Sequence, residues 1–206
     1  MSPFLKRRIP FLLILLVIAV TALLVRQRRM PSGPTITASG GEPFQNFTPL
    51  NTPFFLQTDS RWENDTIGGS GESLKNAGCT LSCLAMALHE HGIHQTPAEL
   101  NALLKSNNGY TALGLIKWEA VPGLFKGAVR VDYSSPLSHQ SIDTALRQRQ
   151  PVLARIFLGT AQHWVLIVGK EGAEYLVRDP LGEGQSLERL SRFESPIYAI
   201  RIVKHS

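Results

Sequence analysis

The chain lacks the features that mark several common classes of protein. It contains only two cysteines in 206 residues, so it has no disulfide framework. Charged residues make up 18% of the sequence and apolar residues 43%, a balance that argues against wholesale disorder. No internal repeat is present. The length suits one domain of ordinary size and is too short for two full domains with linkers.

The folded part of the chain also lacks an excess of basic residues. The formal net charge is +5, but six of the 21 basic residues lie in residues 1–30, which contain no acidic residue. The remaining 176 residues carry 15 basic and 16 acidic side chains. Because the positive charge belongs to the N-terminal segment, we expect no nucleic-acid partner for the folded part.

One long apolar run stands near the N-terminus. Residues 9–25 read IPFLLILLVIAVTALLV and contain no charged side chain. These 17 residues would span about 26 Å as a helix, close to the roughly 30 Å of a bilayer core. The run is longer than the apolar stretch of a cleaved signal peptide, and no Ala-x-Ala site follows it. We therefore predict that residues 1–30 form an uncleaved single-pass membrane anchor rather than a signal peptide.

The segment after the anchor has the composition of a linker. Residues 31–53 are rich in proline, glycine, serine and threonine and show no hydrophobic period, so we predict a folded domain over residues 54–206. Three basic residues lie on each side of the apolar run, so the positive-inside rule does not decide the orientation. The long domain behind an N-terminal anchor favours an extracytoplasmic location for that domain.

Within residues 54–206, helical patterns come first and strand patterns follow. We predict helices over residues 79–91, 97–105 and 141–149, and a short helix within residues 113–120. Thr96, Pro97 and Glu99 have the types and spacing of a helix start with a capping box. Strands are predicted over residues 128–133, 151–158, 163–168, 174–179 and 197–203. This segregation favours an α+β fold with an antiparallel sheet over a doubly wound parallel sheet.

Cys79 follows Gly78 at the predicted start of the first helix. The unpaired amides and positive partial charge of a helix N-terminus stabilise a thiolate and lower the pKa of the thiol. From position alone, a small buried apolar cysteine is the commoner explanation. Cys83 lies one turn later between apolar residues, and we predict that it belongs to the core. A Cys79–Cys83 disulfide is not expected, because the two side chains project in similar directions from a rigid helix.

A predicted hairpin brings His163 and Asp179 together. If the hairpin formed by residues 163–168 and 174–179 is symmetric about Glu171, His163 faces Asp179, with Cβ atoms about 4.5–5.5 Å apart. A lone histidine at the end of a strand is more often a surface or core residue. A carboxylate on one ring nitrogen, however, orients the other nitrogen toward a nucleophile. Together, Cys79, His163 and Asp179 are predicted to form the thiol version of the acyl-transfer triad, with the Cys79 amide as one donor to an oxyanion.

These residues and their neighbours resemble the C39-like peptidase family. The motifs that carry the resemblance are Gln57-x-Asp59-x-x-Trp62, Gly78-Cys79-Thr80, Met86-Ala87, Thr96-Pro97-x-Glu99-Leu100-Asn101, Gly109-Tyr110, Trp118, His163-Trp164-Val165-Leu166 and Asp179-Pro180. The match runs from about residue 54 to residue 203, and the combination is more specific than any single motif.

The resemblance implies a papain-like fold, in which an N-terminal helical lobe carries the cysteine and a C-terminal antiparallel β-sheet carries the histidine. It implies a nucleophile at Cys79, a general base at His163, an orienting carboxylate at Asp179 and an oxyanion-hole amide at Gln57. It also implies a peptide or protein substrate and no metal or organic cofactor. The role of Gln57 is predicted from the resemblance alone, because its local sequence otherwise indicates a glutamine in a surface loop.

The best-known members of this family stand at the N-terminus of transporters and cut leader peptides after a double glycine. These 206 residues contain no ATPase and no transporter bundle, so we do not transfer that specificity. Two alternatives to hydrolysis stay open: an acyltransferase or transpeptidase that uses the same triad, and a peptide-binding module without turnover. His89, His91 and His94 cluster near the end of the first helix, but we predict no metal site because they point to different faces.

Overall fold

A computed structural model describes residues 33–184 and 186–206. The predicted membrane anchor, residues 1–30, lies outside the described residues. Within the described part of the chain, no helix combines the length and the apolar character that crossing a bilayer requires.

The longer helices form where the sequence predicted them. The α-helices of the described residues are α1 (Leu74–Ala77), α2 (Cys79–Glu90), α3 (Pro97–Ser106), α4 (Val121–Leu124) and α5 (His139–Arg147), and two 3-10 helices span Trp118–Ala120 and Leu190–Phe193. Eight consecutive side chains of α2, from Leu81 to Leu88, are buried, as expected of a central helix. The predicted capping box is present at the start of α3, where Thr96 and Glu99 bond each other's backbone amides.

The short helix predicted within residues 113–120 begins later than expected, at Trp118. The preceding residues form a turn, in which the Thr111 amide donates to the Leu115 carbonyl at 2.8 Å. Gly114 adopts a φ of +76° in this turn, a backbone conformation that no helix accommodates. The helical segment therefore starts only after the turn is complete.

The strands of the described residues form an antiparallel sheet, and all of them except the first come from the second half of the chain. Its strands are β1 (Ser39–Phe44), β2 (Val129–Asp132), β3 (Val152–Leu158), β4 (Ala161–Arg178), β5 (Glu188–Arg189) and β6 (Ala199–His205). The order is β1-β4-β3-β6-β2, with β5 also paired to β4, and every strand pair is antiparallel. Helix α2 packs mainly against β4. The mixed fold with helices and an antiparallel sheet is the one that the segregated sequence patterns predicted.

The prediction that residues 31–53 form a linker is wrong for most of that segment. Residues 34–206 form one compact unit, and β1 pairs with β4 through Ser39 opposite Glu174 and Phe44 opposite Gly172. Phe44 and Leu50 are buried in the hydrophobic core. The segment SGGEPF has no alternating apolar pattern. Its strand therefore depends on pairing with β4 rather than on the strand preference of its own side chains.

The structure has one long strand, β4, where the sequence predicted two. A straight strand would separate residues 163 and 179 by roughly 50 Å. The imidazole of His163 nevertheless lies 2.6 Å from the carboxylate of Asp179, so the chain must double back between them. Gly172, with a φ of +57°, lies in the middle of this segment. The part of β4 before it pairs with β3, and the part after it pairs with β5.

A buried ion pair joins α5 to the middle of β4, on both sides of Gly172. The Lys170 ammonium on β4 donates to the Asp143 carboxylate on α5 at 2.6 Å, and both side chains are buried. The same carboxylate accepts bonds from the Tyr175 hydroxyl at 3.2 Å and from the Glu42 amide of β1 at 2.8 Å. Asp143 thus connects three elements that are distant in the sequence.

Asp143→Ala should destabilise the domain strongly, because the substitution leaves the Lys170 charge buried without its partner. We expect a loss of about 3–5 kcal/mol in the free energy of unfolding, measured by urea denaturation of the full chain. Glu171→Ala is the matched control, because the ion pair of Glu171 with Arg189 is exposed, and it should cost no more than about 0.5 kcal/mol. Equal losses for the two variants would contradict the role assigned to Asp143.

Candidate active site

Cys79 is the first residue of α2, as predicted, and Gly78 is its N-cap. The preceding helix α1 ends directly at Gly78, whose amide donates to the Leu74 carbonyl at 2.7 Å. A Cβ atom at position 78 would lie only 2.4 Å from that carbonyl oxygen, so no larger residue fits without a backbone shift. The close approach of α1 to the start of α2 therefore explains the glycine that precedes the cysteine. It also fixes the half-buried thiol at the helix N-terminus.

The Cys79 thiol lies within electrostatic reach of the His163 imidazole and of the backbone amide of Trp164, the residue after the histidine. The start of α2 and the first part of β4 thus come together at the Cys79 sulfur. Cys79 and His163 are 84 positions apart in the sequence, so only the triad hypothesis predicted that their side chains meet.

The imidazole of His163 is held from its other side by Asp179. Nε2 of His163 lies 2.6 Å from Oδ1 of Asp179, and both side chains are buried. The same carboxylate oxygen accepts the Leu181 amide at 2.9 Å, which fixes its orientation. With Nε2 bonded to Asp179, Nδ1 is the ring nitrogen that remains for Cys79. The contact that the symmetric hairpin predicted between His163 and Asp179 is therefore present.

These contacts shift the ionisation of both partners toward an ion pair. Burial, the largest influence on the Cys79 thiol, acts to raise its pKa, but the hydrogen bond and charge of His163, with the Trp164 amide, outweigh burial and lower it. Burial also acts to lower the pKa of His163, but the bonds to Asp179 and Cys79 outweigh it and raise that pKa to about 9. A thiolate beside an imidazolium is the state that this arrangement stabilises.

Gln57 lies between the segments that carry the other three residues. Its side-chain amide nitrogen donates to the Lys75 carbonyl of α1 at 2.7 Å, and its backbone amide donates to the Pro180 carbonyl at 3.0 Å. Lys75 is four residues before Cys79, and Pro180 follows Asp179. The Lys75 bond uses one of the two amide hydrogens of the buried Gln57 side chain, which leaves one free.

Cys83 is fully buried and belongs to the core, as the sequence predicted. Its thiol donates to the Trp164 carbonyl at 3.4 Å. Burial, followed by the neighbouring Cys79 and Asp179 charges, raises its pKa well above the ordinary value. Both cysteines are free thiols. The same helix therefore carries one activated and one inert thiol.

A cavity of about 370 Å³ opens beside this cluster. Its wall includes Thr80 and Gln162, the chain neighbours of Cys79 and His163, together with Trp118 and Trp164. Arg155 and Arg201 also line it, and our sequence reading gave them no role. Each is a charged residue within an otherwise apolar strand segment, in VLARIFL and AIRIV, and that pattern was the available signal.

The three histidines near the end of α2 do not assemble a metal site. Nδ1 of His89 lies 3.1 Å from Nδ1 of His94, while Nε2 of His91 contacts the Val203 carbonyl oxygen at 3.0 Å. Among the described residues, no group of three histidine, cysteine or acidic side chains is arranged to hold a metal ion.

Iodoacetamide should alkylate Cys79 at a pH below the ordinary thiol value of 9.0, because His163 lowers the pKa of this thiol. Asp179→Asn removes a charge that helps to keep His163 protonated, so it should move the midpoint of alkylation upward in pH. Peptide mass spectrometry of the labelled chain, over a series of pH values, measures both midpoints.

The internal control for this labelling is Cys83, which should stay unmodified in the folded chain at every pH at which Cys79 reacts. The Cys79→Ser variant, which retains only Cys83, should therefore take up no label. Equally slow labelling of the two cysteines would contradict an activated thiol at position 79 and would favour a module without turnover.

Comparison with known proteins identifies a family whose members this chain resembles. A model of the Peptidase C39 family matches residues 73–199, which is more than half of the chain and includes Cys79, His163 and Asp179. No curated protein matches the chain. Among solved structures, a chain named as a C39-like peptidase from Bacillus anthracis shares 16% sequence identity with a TM-score of 0.48, covering 76% of this chain and 96% of that one. On the strength of the family match, the chain belongs to the Peptidase C39 family.

Proposed function

We propose that this protein is a cysteine peptidase that hydrolyses peptide bonds with a Cys79–His163–Asp179 triad. The observation that carries the proposal is the Cys79 thiol at the N-terminus of α2, in electrostatic reach of an imidazole, His163, that is bonded to the Asp179 carboxylate at 2.6 Å. Membership of the Peptidase C39 family supports a peptide or protein as the substrate. A papain-like fold, with the thiol on a helix and the imidazole on a sheet, belongs to the same proposal.

In the first step, the Cys79 thiolate attacks the carbonyl carbon of the scissile peptide bond. The Nδ1 proton of His163 passes to the leaving nitrogen as the C–N bond breaks, which releases an amine and leaves a thioester on Cys79. In the second step, neutral His163 takes a proton from a water molecule as the water oxygen attacks the carbonyl carbon of the thioester. The C–S bond then breaks, the acid product leaves, and the thiolate–imidazolium pair is restored.

The carbonyl oxygen becomes negatively charged in each step and requires hydrogen-bond donors. The backbone amide of Cys79, at the helix N-terminus, is the first donor that we assign. The free amide hydrogen of Gln57 is the second, since its other hydrogen is bonded to Lys75. Asp179 keeps the ring of His163 oriented and stabilises its positive charge through both steps.

Cys79→Ser should reduce the rate of peptide cleavage at least about a thousandfold, because a serine hydroxyl in this setting is not ionised. Cys83→Ser is the matched control in the same helix. It should retain cleavage, with a modest loss of stability for a buried hydroxyl. Incubation of the full chain with a peptide library, followed by mass spectrometry of the cut sites, measures this outcome.

An added amine in the same assay separates hydrolysis from acyl transfer. Hydrolysis yields products with a free carboxyl group, whereas a transpeptidase yields products that incorporate the amine. Cleavage that is lost in Cys83→Ser and kept in Cys79→Ser would overturn the assignment of the nucleophile.

We also propose that residues 9–25 anchor the protein as a single membrane span and that the peptidase domain is extracytoplasmic. The uncharged run with basic residues at both ends supports the membrane span, and the long domain that follows the run supports the extracytoplasmic location.

The full chain should remain in the membrane pellet after an alkaline carbonate wash and should require detergent for extraction. Replacing Leu16 and Ile18 together by arginine should shift the protein to the wash, since each arginine costs about 2.5–3.5 kcal/mol at the centre of a span. The matched control replaces the same two residues by valine and should stay in the pellet. Release of the unmodified chain by carbonate would refute the anchor.

A further inference from the structure

The cavity beside the triad contains two arginines on neighbouring strands. Arg155 of β3 is opposite Ala199 of β6, and Leu153 is opposite Arg201. Residues 153 and 155 point to the same face of the sheet, so Arg155 and Arg201 are diagonal neighbours on that face. Both side chains are half-buried, and both line the cavity.

Neither guanidinium group has a counter-charge among the residues that the structure describes. No carboxylate in the described part of the chain forms an ion pair with Arg155 or Arg201, although the exposed Glu72 also lines the cavity. The Nε atoms of both arginines are buried without an acceptor. Burying two unpaired cations side by side is unfavourable, and an anion between them would relieve both the repulsion and the unsatisfied donors.

Aromatic rings hold Arg201 in place. Its guanidinium carbon lies 5.7 Å from the ring centroids of both Trp118 and Trp164 and 6.0 Å from that of Tyr133. One of its terminal nitrogens donates to the Ile200 carbonyl at 2.7 Å. Such contacts orient a guanidinium group while leaving other N–H groups available. Arg201 is thus organised before any ligand arrives.

The position of the pair relates it to the proposed substrate. The cavity wall includes Thr80 and Gln162, which flank Cys79 and His163 in the chain, and its volume of about 370 Å³ suits a small polar group and its stem. A group bound there would belong to a peptide whose scissile bond lies at Cys79. Planar guanidinium groups are well matched to a carboxylate, which accepts paired hydrogen bonds from them.

We propose that Arg155 and Arg201 bind a carboxylate of the peptide substrate and select for it. The proposal rests on the peptidase function proposed above. The carboxylate has two possible sources with the same chemistry, an acidic side chain near the scissile bond or the free C-terminus of a short substrate.

The cleavage test uses two pairs of peptides with the full chain in detergent. One pair differs by glutamate or glutamine at a single internal position, and the other by a free or an amidated C-terminus. The wild type should cleave one carboxylate-bearing peptide about 10- to 100-fold faster, in kcat/KM, than its neutral partner. Arg155→Gln and Arg201→Gln should each reduce that ratio toward one.

Arg130→Gln is the matched control, because it removes the same charge from an exposed position on β2 outside the cavity. It should leave the ratio unchanged. A ratio is insensitive to partial unfolding, which lowers the rates for both peptides equally. The pair that shows the preference identifies the source of the carboxylate. Cleavage of both pairs without any preference, or equal effects of Arg130→Gln and the cavity variants, would overturn the proposal.

A binding test separates this proposal from the proposed activity. Trp118 and Trp164 line the cavity, so the tryptophan fluorescence of the Cys79→Ser chain should report titration with the same four peptides without turnover. A carboxylate-bearing peptide should bind more tightly than its neutral partner, and Arg155→Gln should abolish the difference. If the wild type cleaves no peptide but this difference is found, the peptidase proposal fails and the carboxylate site stands. If the peptides bind equally, the carboxylate site fails.

Discussion

The buried hydrogen bond between His163 and Asp179 is the constraint on which the site depends. It requires β4 to double back, because the two residues lie near its opposite ends. It also occupies Nε2 of the imidazole, so that Nδ1 is directed to Cys79. Burial alone would keep the ring neutral, and the interactions with the Asp179 carboxylate and with Cys79 together raise the pKa of His163 to about 9. The contact with Asp179 therefore both orients the imidazole of His163 and favours its positive charge.

The thiol and the imidazole come from different kinds of structure, and each kind contributes what the other lacks. Helix α2 supplies the unpaired amides of its first turn, and its buried body fixes the position of Cys79. The sheet supplies His163 from the first part of β4, which is paired with β3 from Ala161 to Ile167. Because both elements pack into one core, the distance between sulfur and nitrogen is set by hydrophobic packing rather than by a flexible loop.

The sequence predicted the parts whose signals are local. The start of α2 at Cys79, the capping box at Thr96 and the antiparallel sheet follow from residue types at short spacing, and so does the pairing of His163 with Asp179. The parts that were missed depend on distant partners. Strand β1 has no hydrophobic pattern of its own and forms through pairing with β4. The arginine pair is formed only because β3 and β6 are adjacent in the sheet. Gln57 was predicted, but only through the family resemblance and not from its local sequence.

The incorporation of β1 into the sheet determines where this domain can be separated from its N-terminal segment. A fragment that starts at residue 54 would lose the strand that covers the edge of β4 at Gly172 and Glu174. It would also remove the Glu42 amide from the Asp143 carboxylate. Uncovered strand edges recruit other chains, so trimming inside residues 39–53 would favour aggregation over release of an intact domain. A proteolytic cut that preserves the fold has to fall ahead of Ser39, where this strand begins.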